Sequence, residues 1–133
     1  MSNKKEVVLV DYGIGNIFSV KQAFEKVGSS VIVSSDPEVV KQSKYLVLPG
    51  VGAFGRAMNA LKDLNLIEAI QFATNQKTPL LGICLGMQML LDESVEMGLH
   101  KGLGLIEGRV EKYPQLSADD ENIKVPQINW HEL

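Results

Sequence analysis

The run Pro79-Leu80-Leu81-Gly82-Ile83-Cys84-Leu85-Gly86 constrains the fold more than any other part of the chain. Leu80 and Leu81 are apolar, like the end of a buried strand. The following Met87-Gln88-Met89-Leu90-Leu91 is built from good helix formers. A small–x–nucleophile–x–small pattern between strand and helix is the layout of a nucleophile elbow. Glycines on both sides leave room for a tight, strained turn. The side chain at its tip points into solvent, above a helix start whose free N–H groups and dipole favour negative charge. Cys84, the only cysteine, therefore reads as a nucleophile for acyl transfer. The competing reading is a small buried hydrophobe.

The rest of the chain supplies the frame. Val7-Val8-Leu9-Val10 is a continuous apolar run, typical of a parallel strand covered on both faces. Ile17, Val20, Phe24 and Val27 recur at helical spacing, and Gly28 ends that helix. Val31-Ile32-Val33 and Tyr45-Leu46-Val47-Leu48 read as the next strands. Asp36-Pro37 reads as an N-cap with proline at the first helical position. Helices are expected over residues 53–61 and 66–76, a fourth strand over 80–83, and its helix over 85–92. This alternation predicts a doubly wound α/β domain with a mostly parallel sheet and helices on both faces. In such sheets the ligand site lies beyond the carboxyl ends of the strands. The three unusual loops, residues 13–16, 49–52 and 82–86, all fall there. Residues 103–110 read as strand broken by glycines, residues 115–122 as a polar loop, and Val125-Pro126-Gln127-Ile128-Asn129-Trp130 as a return to extended chain.

Composition narrows the chemistry. With 133 residues, 45% hydrophobic and 22% charged, the chain is expected to be one domain with a substantial core. A formal net charge of -3 and the lack of a basic run argue against nucleic acid or an anionic membrane as partner. A lone cysteine forms no internal disulfide, so a reducing, cytoplasmic setting is expected. Leu48-Pro49-Gly50-Val51-Gly52-Ala53-Phe54-Gly55 is a second glycine-rich strand-to-helix turn. No Lys-Ser or Lys-Thr follows, which excludes a Walker-type phosphate loop. An oxyanion hole beside the elbow and a plain structural turn remain. Gly13-x-Gly15 raises a dinucleotide fingerprint, but position 18 is Phe18 where a third glycine is required.

Taken together, these motifs resemble the class I, triad-type glutamine amidotransferases. The matching stretches are Asp11-Tyr12-Gly13-Ile14-Gly15-Asn16, the 48–54 turn, Gly82-Ile83-Cys84-Leu85-Gly86-Met87-Gln88, Gly102-Leu103-Gly104-Leu105-Ile106-Glu107-Gly108 and the 125–130 segment. Within that class they are most similar to the glutaminase subunits of imidazole glycerol phosphate synthases, which serve histidine biosynthesis. The resemblance implies that Cys84 attacks the side-chain amide of glutamine, releasing ammonia and leaving a glutamyl thioester for water to hydrolyse. It implies an oxyanion hole from the backbone N–H groups of Leu85 and of the Val51–Gly52 turn, with a peptide in that turn flipping first. It assigns Gly50, Gln88 and Glu96 to substrate binding, Glu96 toward the α-amino group; a solvated acid at a helix end is the other reading of Glu96. No cofactor and no metal are implied.

The resemblance also implies a partner, a (β/α)8-barrel cyclase subunit that consumes the ammonia, with Asn16 and Trp130 at the interface. Trp130, the only tryptophan, serves equally as a core residue. The family triad needs an H-x-E pair on a later strand, whereas this chain has His100 and His131 alone. The expectation is an N-terminal portion of a longer family domain, 1–133, with an exposed apolar sheet edge and, by itself, almost no activity. Two alternatives remain: an ammonia-supplying paralogue for another synthase, such as one aminating a surface sugar, and a non-catalytic flavodoxin-like binding module.

Overall fold

The computed structural model describes residues 4–114. The elements are β1 (Glu6–Val10), α1 (Ile17–Lys26), β2 (Ser30–Ser34), α2 (Pro37–Lys41), β3 (Leu46–Leu48), α3 (Phe54–Asp63), α4 (Leu66–Asn75), β4 (Leu80–Gly82), α5 (Leu85–Gln88), β5 (Leu91–Ser94), β6 (His100–Lys101) and β7 (Ile106–Val110). The first four strands form a parallel sheet in the order β2-β1-β3-β4. β1 is central, which is why its apolar run is continuous: Val8 and Val10 face one core, Val7 and Leu9 the other. The larger core packs Val40 of α2, Ala57 and Leu61 of α3, and Leu66, Ile70 and Ala73 of α4 against the Val8 face. On the other face Ile17, Val20 and Phe24 of α1 pack against Val7, Leu9 and Val47. The α/β class, the parallel sheet and the helices on both faces are as expected.

Local signals set the helix starts. The Asp36 carboxylate accepts from the Glu38 N–H at 2.9 Å, with Pro37 in the first turn. The Asn16 side chain accepts from the Ser19 N–H at 3.2 Å and so caps α1. Asn16 thus has a structural task that the interface assignment does not explain.

The last part of the described chain departs from expectation. The helix foreseen over 85–92 stops at Gln88, and residues 91–110 build a second sheet of order β6-β5-β7. The carbonyls that would carry the helix onward are taken by a later segment. Met89 O accepts from Leu103 N–H at 2.8 Å, Leu90 O from Leu105 and Ile106, Leu91 O from Gly104, and Asp92 O from Gly102 at 2.7 Å. Met89 and Leu90 are buried by this pairing, so tertiary contacts override helix propensity. The strand foreseen over 103–110 begins only at Ile106, because residues 102–105 serve as these donors. Residues 115–122, the 125–130 segment, Trp130 and His131 lie outside the described residues.

Candidate active site

Parallel order and the switch of direction at β1 place the three glycine-bearing loops side by side at the carboxyl ends of β1, β3 and β4. Cys84 sits at the tip of the third, exposed, with φ +57° and ψ -121°. This is a backbone conformation that L residues adopt only under constraint. The strain lies on the cysteine itself. Its flanking glycines answer a different need, which is space. A Cβ on Gly86 would lie 1.9 Å from the Leu48 carbonyl oxygen, and one on Gly82 would lie 2.7 Å from the Met87 Cα. The elbow therefore closes directly onto β3.

The N–H groups at the elbow are occupied. Gly86 donates to Ile83 O, and Met87 and Gln88 both donate to Cys84 O. Leu85 N–H donates to the Gly50 carbonyl at 3.2 Å. The expected free N–H groups at a long helix start are thus replaced by a single turn whose donors are bonded to backbone. The 49–52 turn meets the elbow through that Leu85–Gly50 bond, and Gly50 has no room for a side chain: a Cβ there would lie 2.8 Å from both Gly86 N and the Tyr12 hydroxyl. Gly52 has φ +93° with open space around it, and Val51 is half exposed.

Tyr12, on the first loop, locks the turn from below. Its ring is buried, its hydroxyl donates to the Pro49 carbonyl at 2.5 Å, and the Met89 sulfur lies 3.6 Å away. Burial pushes this hydroxyl above the usual phenol range, so it remains a neutral donor. Tyr12 stands within a sequence motif, but its role is not legible there, because its partners lie 37 and 77 residues away.

A cavity of about 440 Å³ opens beside α5. Gly52, Arg56, Gln88, Ser94, Glu96 and His100 are among its lining. Gln88 and Glu96 are brought together here, with Arg56 from α3 and the buried Ser94 at the end of β5, which no sequence signal marked, and with His100 from β6, which the sequence offers only as one of two histidines outside an H-x-E pair. Cys84 is not part of the lining. Glu96 lies in the turn after β5 and not at a helix end, because α5 is so short; its backbone N–H donates to the Ser94 hydroxyl. His100, the one described histidine, packs over Gly55 and pairs its Nε2 with the Met97 carbonyl at 3.0 Å. Among the described residues no cluster of metal-ligating side chains occurs, and no helix is long and apolar enough to cross a membrane.

Known proteins are similar to this chain in sequence and in fold. A family profile for class-I glutamine amidotransferases matches residues 8–131. The imidazole glycerol phosphate synthase subunit HisH of Geobacillus sp. (strain WCH70) is 49% identical over 125 residues, which cover 94% of this chain and 59% of that protein. The subunit HisH 1 of Legionella pneumophila (strain Lens) is 51% identical, covering 96% of this chain and 60% of its own length. The subunit HisH of Sulfurimonas denitrificans is 47% identical over 96% of this chain and 61% of that protein. The chain spans about three-fifths of the length of these curated relatives. In fold it is similar to a Listeria monocytogenes EGD-e protein named for peptidase E, with a TM-score of 0.62 at 14% identity over 80% of this chain and 66% of that one. A profile match that runs from β1 past β7, on a chain folded around a strained cysteine elbow, means that this protein belongs to the class-I glutamine amidotransferase family.

Proposed function

We propose that the protein carrying this chain is the glutaminase subunit of an imidazole glycerol phosphate synthase. It hydrolyses glutamine to glutamate and ammonia and passes the ammonia to a (β/α)8-barrel cyclase subunit in the cytoplasm. The observation that carries this reading is the conformation of Cys84, exposed at the tip of an elbow with φ +57°. A non-catalytic binding module has no use for that strain. The names of relatives at 47 to 51% identity favour this synthase over another ammonia consumer.

The chemistry follows from the residues. The amino-acid end of glutamine occupies the cavity between Gln88 and Glu96, whose size suits a small ligand, and its side-chain amide reaches past the lining toward Cys84. The Glu96 carboxylate receives the α-ammonium group. The Cys84 thiol gives up its proton as its sulfur attacks the side-chain carbonyl carbon, and a tetrahedral oxyanion forms. The C–N bond then breaks, the nitrogen takes up that proton, and ammonia leaves a glutamyl thioester. Water adds to the thioester, the C–S bond breaks, and glutamate departs with the thiol restored. The oxyanion needs two donors, yet here the Gly50 carbonyl holds the Leu85 N–H. Rotation of the Gly50–Val51 peptide removes that oxygen and turns the Val51 N–H inward, so one motion supplies both donors. Gly52, with its positive φ, accommodates the swing. His100 is engaged with Met97 and is not assigned as the base.

The test is Cys84→Ala or Cys84→Ser in the complete protein with its cyclase partner. Glutamine-dependent synthesis is expected to vanish while synthesis from added ammonium persists. Loss of both activities, or of neither, sinks the assignment. A glutamine-analogue chloroketone should alkylate the wild-type thiol and be displaced by glutamine.

A further inference from the structure

We infer that Tyr12 is a positioning residue that clamps the Pro49–Gly50 peptide, so that the Gly50–Val51 peptide rotates against a fixed pivot. The inference rests on the glutaminase reading above and assigns a further residue to the same site. Three observations carry it. The Tyr12 hydroxyl has one proton, and the Pro49 carbonyl at 2.5 Å takes it. Pro49 is itself fully buried, so that carbonyl is shielded from solvent. The hydroxyl also fills the space against Gly50, where a Cβ would come within 2.8 Å of it.

Geometry then separates two neighbouring peptides. The plane joining Pro49 to Gly50 is held by a short bond from a rigid buried ring. The plane joining Gly50 to Val51 is held only by the longer 3.2 Å bond from Leu85 N–H to the Gly50 carbonyl, and it leads into the half-exposed Val51. A rotation that is to place the Val51 N–H reproducibly needs a stationary axis on its Pro49 side. Without the hydroxyl, both planes move and the donor is aimed over a range of directions. Misdirected donors stabilise the oxyanion poorly but leave the cavity that binds glutamine unaltered. Tyr12 touches neither substrate nor the reacting atoms in this scheme. The Met89 sulfur contact, 3.6 Å from the same oxygen, is packing.

The experiment compares Tyr12→Phe, Met89→Leu and wild type in the complete protein with its partner. Tyr12→Phe is expected to lower kcat for glutamine hydrolysis about tenfold, less than the ~100-fold typical of deleting a donor outright. KM for glutamine, ammonium-dependent synthesis and the rate of Cys84 alkylation by iodoacetamide are expected to stay at wild-type values. Met89→Leu keeps the hydroxyl bond and should keep kcat. An unchanged kcat in Tyr12→Phe, or an equal loss in Met89→Leu, overturns the clamp. A second measurement does not depend on the variant folding. In wild-type protein whose Cys84 carries the chloroketone, the Tyr12 hydroxyl proton should remain protected from solvent exchange in NMR spectra; rapid exchange there overturns the inference as well. Absence of glutamine turnover in the wild-type protein with its partner would instead remove the glutaminase reading itself.

Discussion

Cys84 and Gly52 show how backbone conformation at single residues shapes the candidate site. Cys84 holds a strained φ because Gly82 and Gly86 let the elbow close onto β3. Gly52 is the converse case: nothing crowds it, so only its φ of +93° demands glycine. Gly52→Val should therefore fold, at a cost of roughly 1–2 kcal/mol for an L residue in that region. Turnover should fall further, by an order of magnitude or more, because the turn loses the freedom to rotate. Thermal unfolding together with glutamate release measures the two effects separately. Tyr12 adds a pH dependence. Its hydroxyl titrates higher in the folded than in the unfolded chain, so the folded state holds the proton more tightly. The resulting stability is complete below the unfolded phenol value of about 10 and declines as pH rises past it. Above pH ~10, wild type should lose stability more steeply than Tyr12→Phe, as followed by denaturant titration.

At the scale of elements, caps and pairing decide where helices begin and end. Asn16 caps α1 from the first of the three glycine-bearing loops, and the family resemblance also gives it to the partner interface. The two roles separate by substitution. Asn16→Ala should cost about 1 kcal/mol through the lost cap. Asn16→Asp retains the acceptor and should retain stability, yet weaken association with the cyclase, as read by titration calorimetry. Wild-type affinity in Asn16→Asp reduces Asn16 to a cap. The short α5 makes the complementary point. Its residues favour a longer helix, and β-type pairing with residues 102–106 ends it. That termination is what places Ser94 and Glu96 on the cavity wall.

For the molecule as a whole, the described sheet is covered unevenly. β4 is an outer strand among the described residues, and Leu81 on it is 51% exposed. An apolar residue on an open strand edge invites pairing with another chain. Leu81→Lys should reduce self-association of the 133-residue chain in sedimentation velocity while leaving its circular dichroism unchanged. Unaltered association would mean that this edge takes no part.

Much of this architecture is written locally. The continuous apolar run of β1, the Asp36-Pro37 helix start and the Gly-x-Cys-x-Gly elbow each depend on residues within a few positions of one another, and each forms where the sequence places it. Their common location at the carboxyl ends of parallel strands follows from the α/β alternation, which admits few topologies. What the sequence by itself leaves open depends on residues distant along the chain. The truncation of α5 requires carbonyls of residues 89–92 to meet donors from 102–106. The cavity gathers α3, α5, β5 and β6. The Tyr12–Pro49 bond spans 37 residues, and the occupation of the Leu85 N–H by Gly50 spans 35. Periodicity and spacing report only on neighbours, so the cysteine elbow is legible in the sequence, whereas the bonding of the 49–52 turn to it is fixed by the packing of one loop against another.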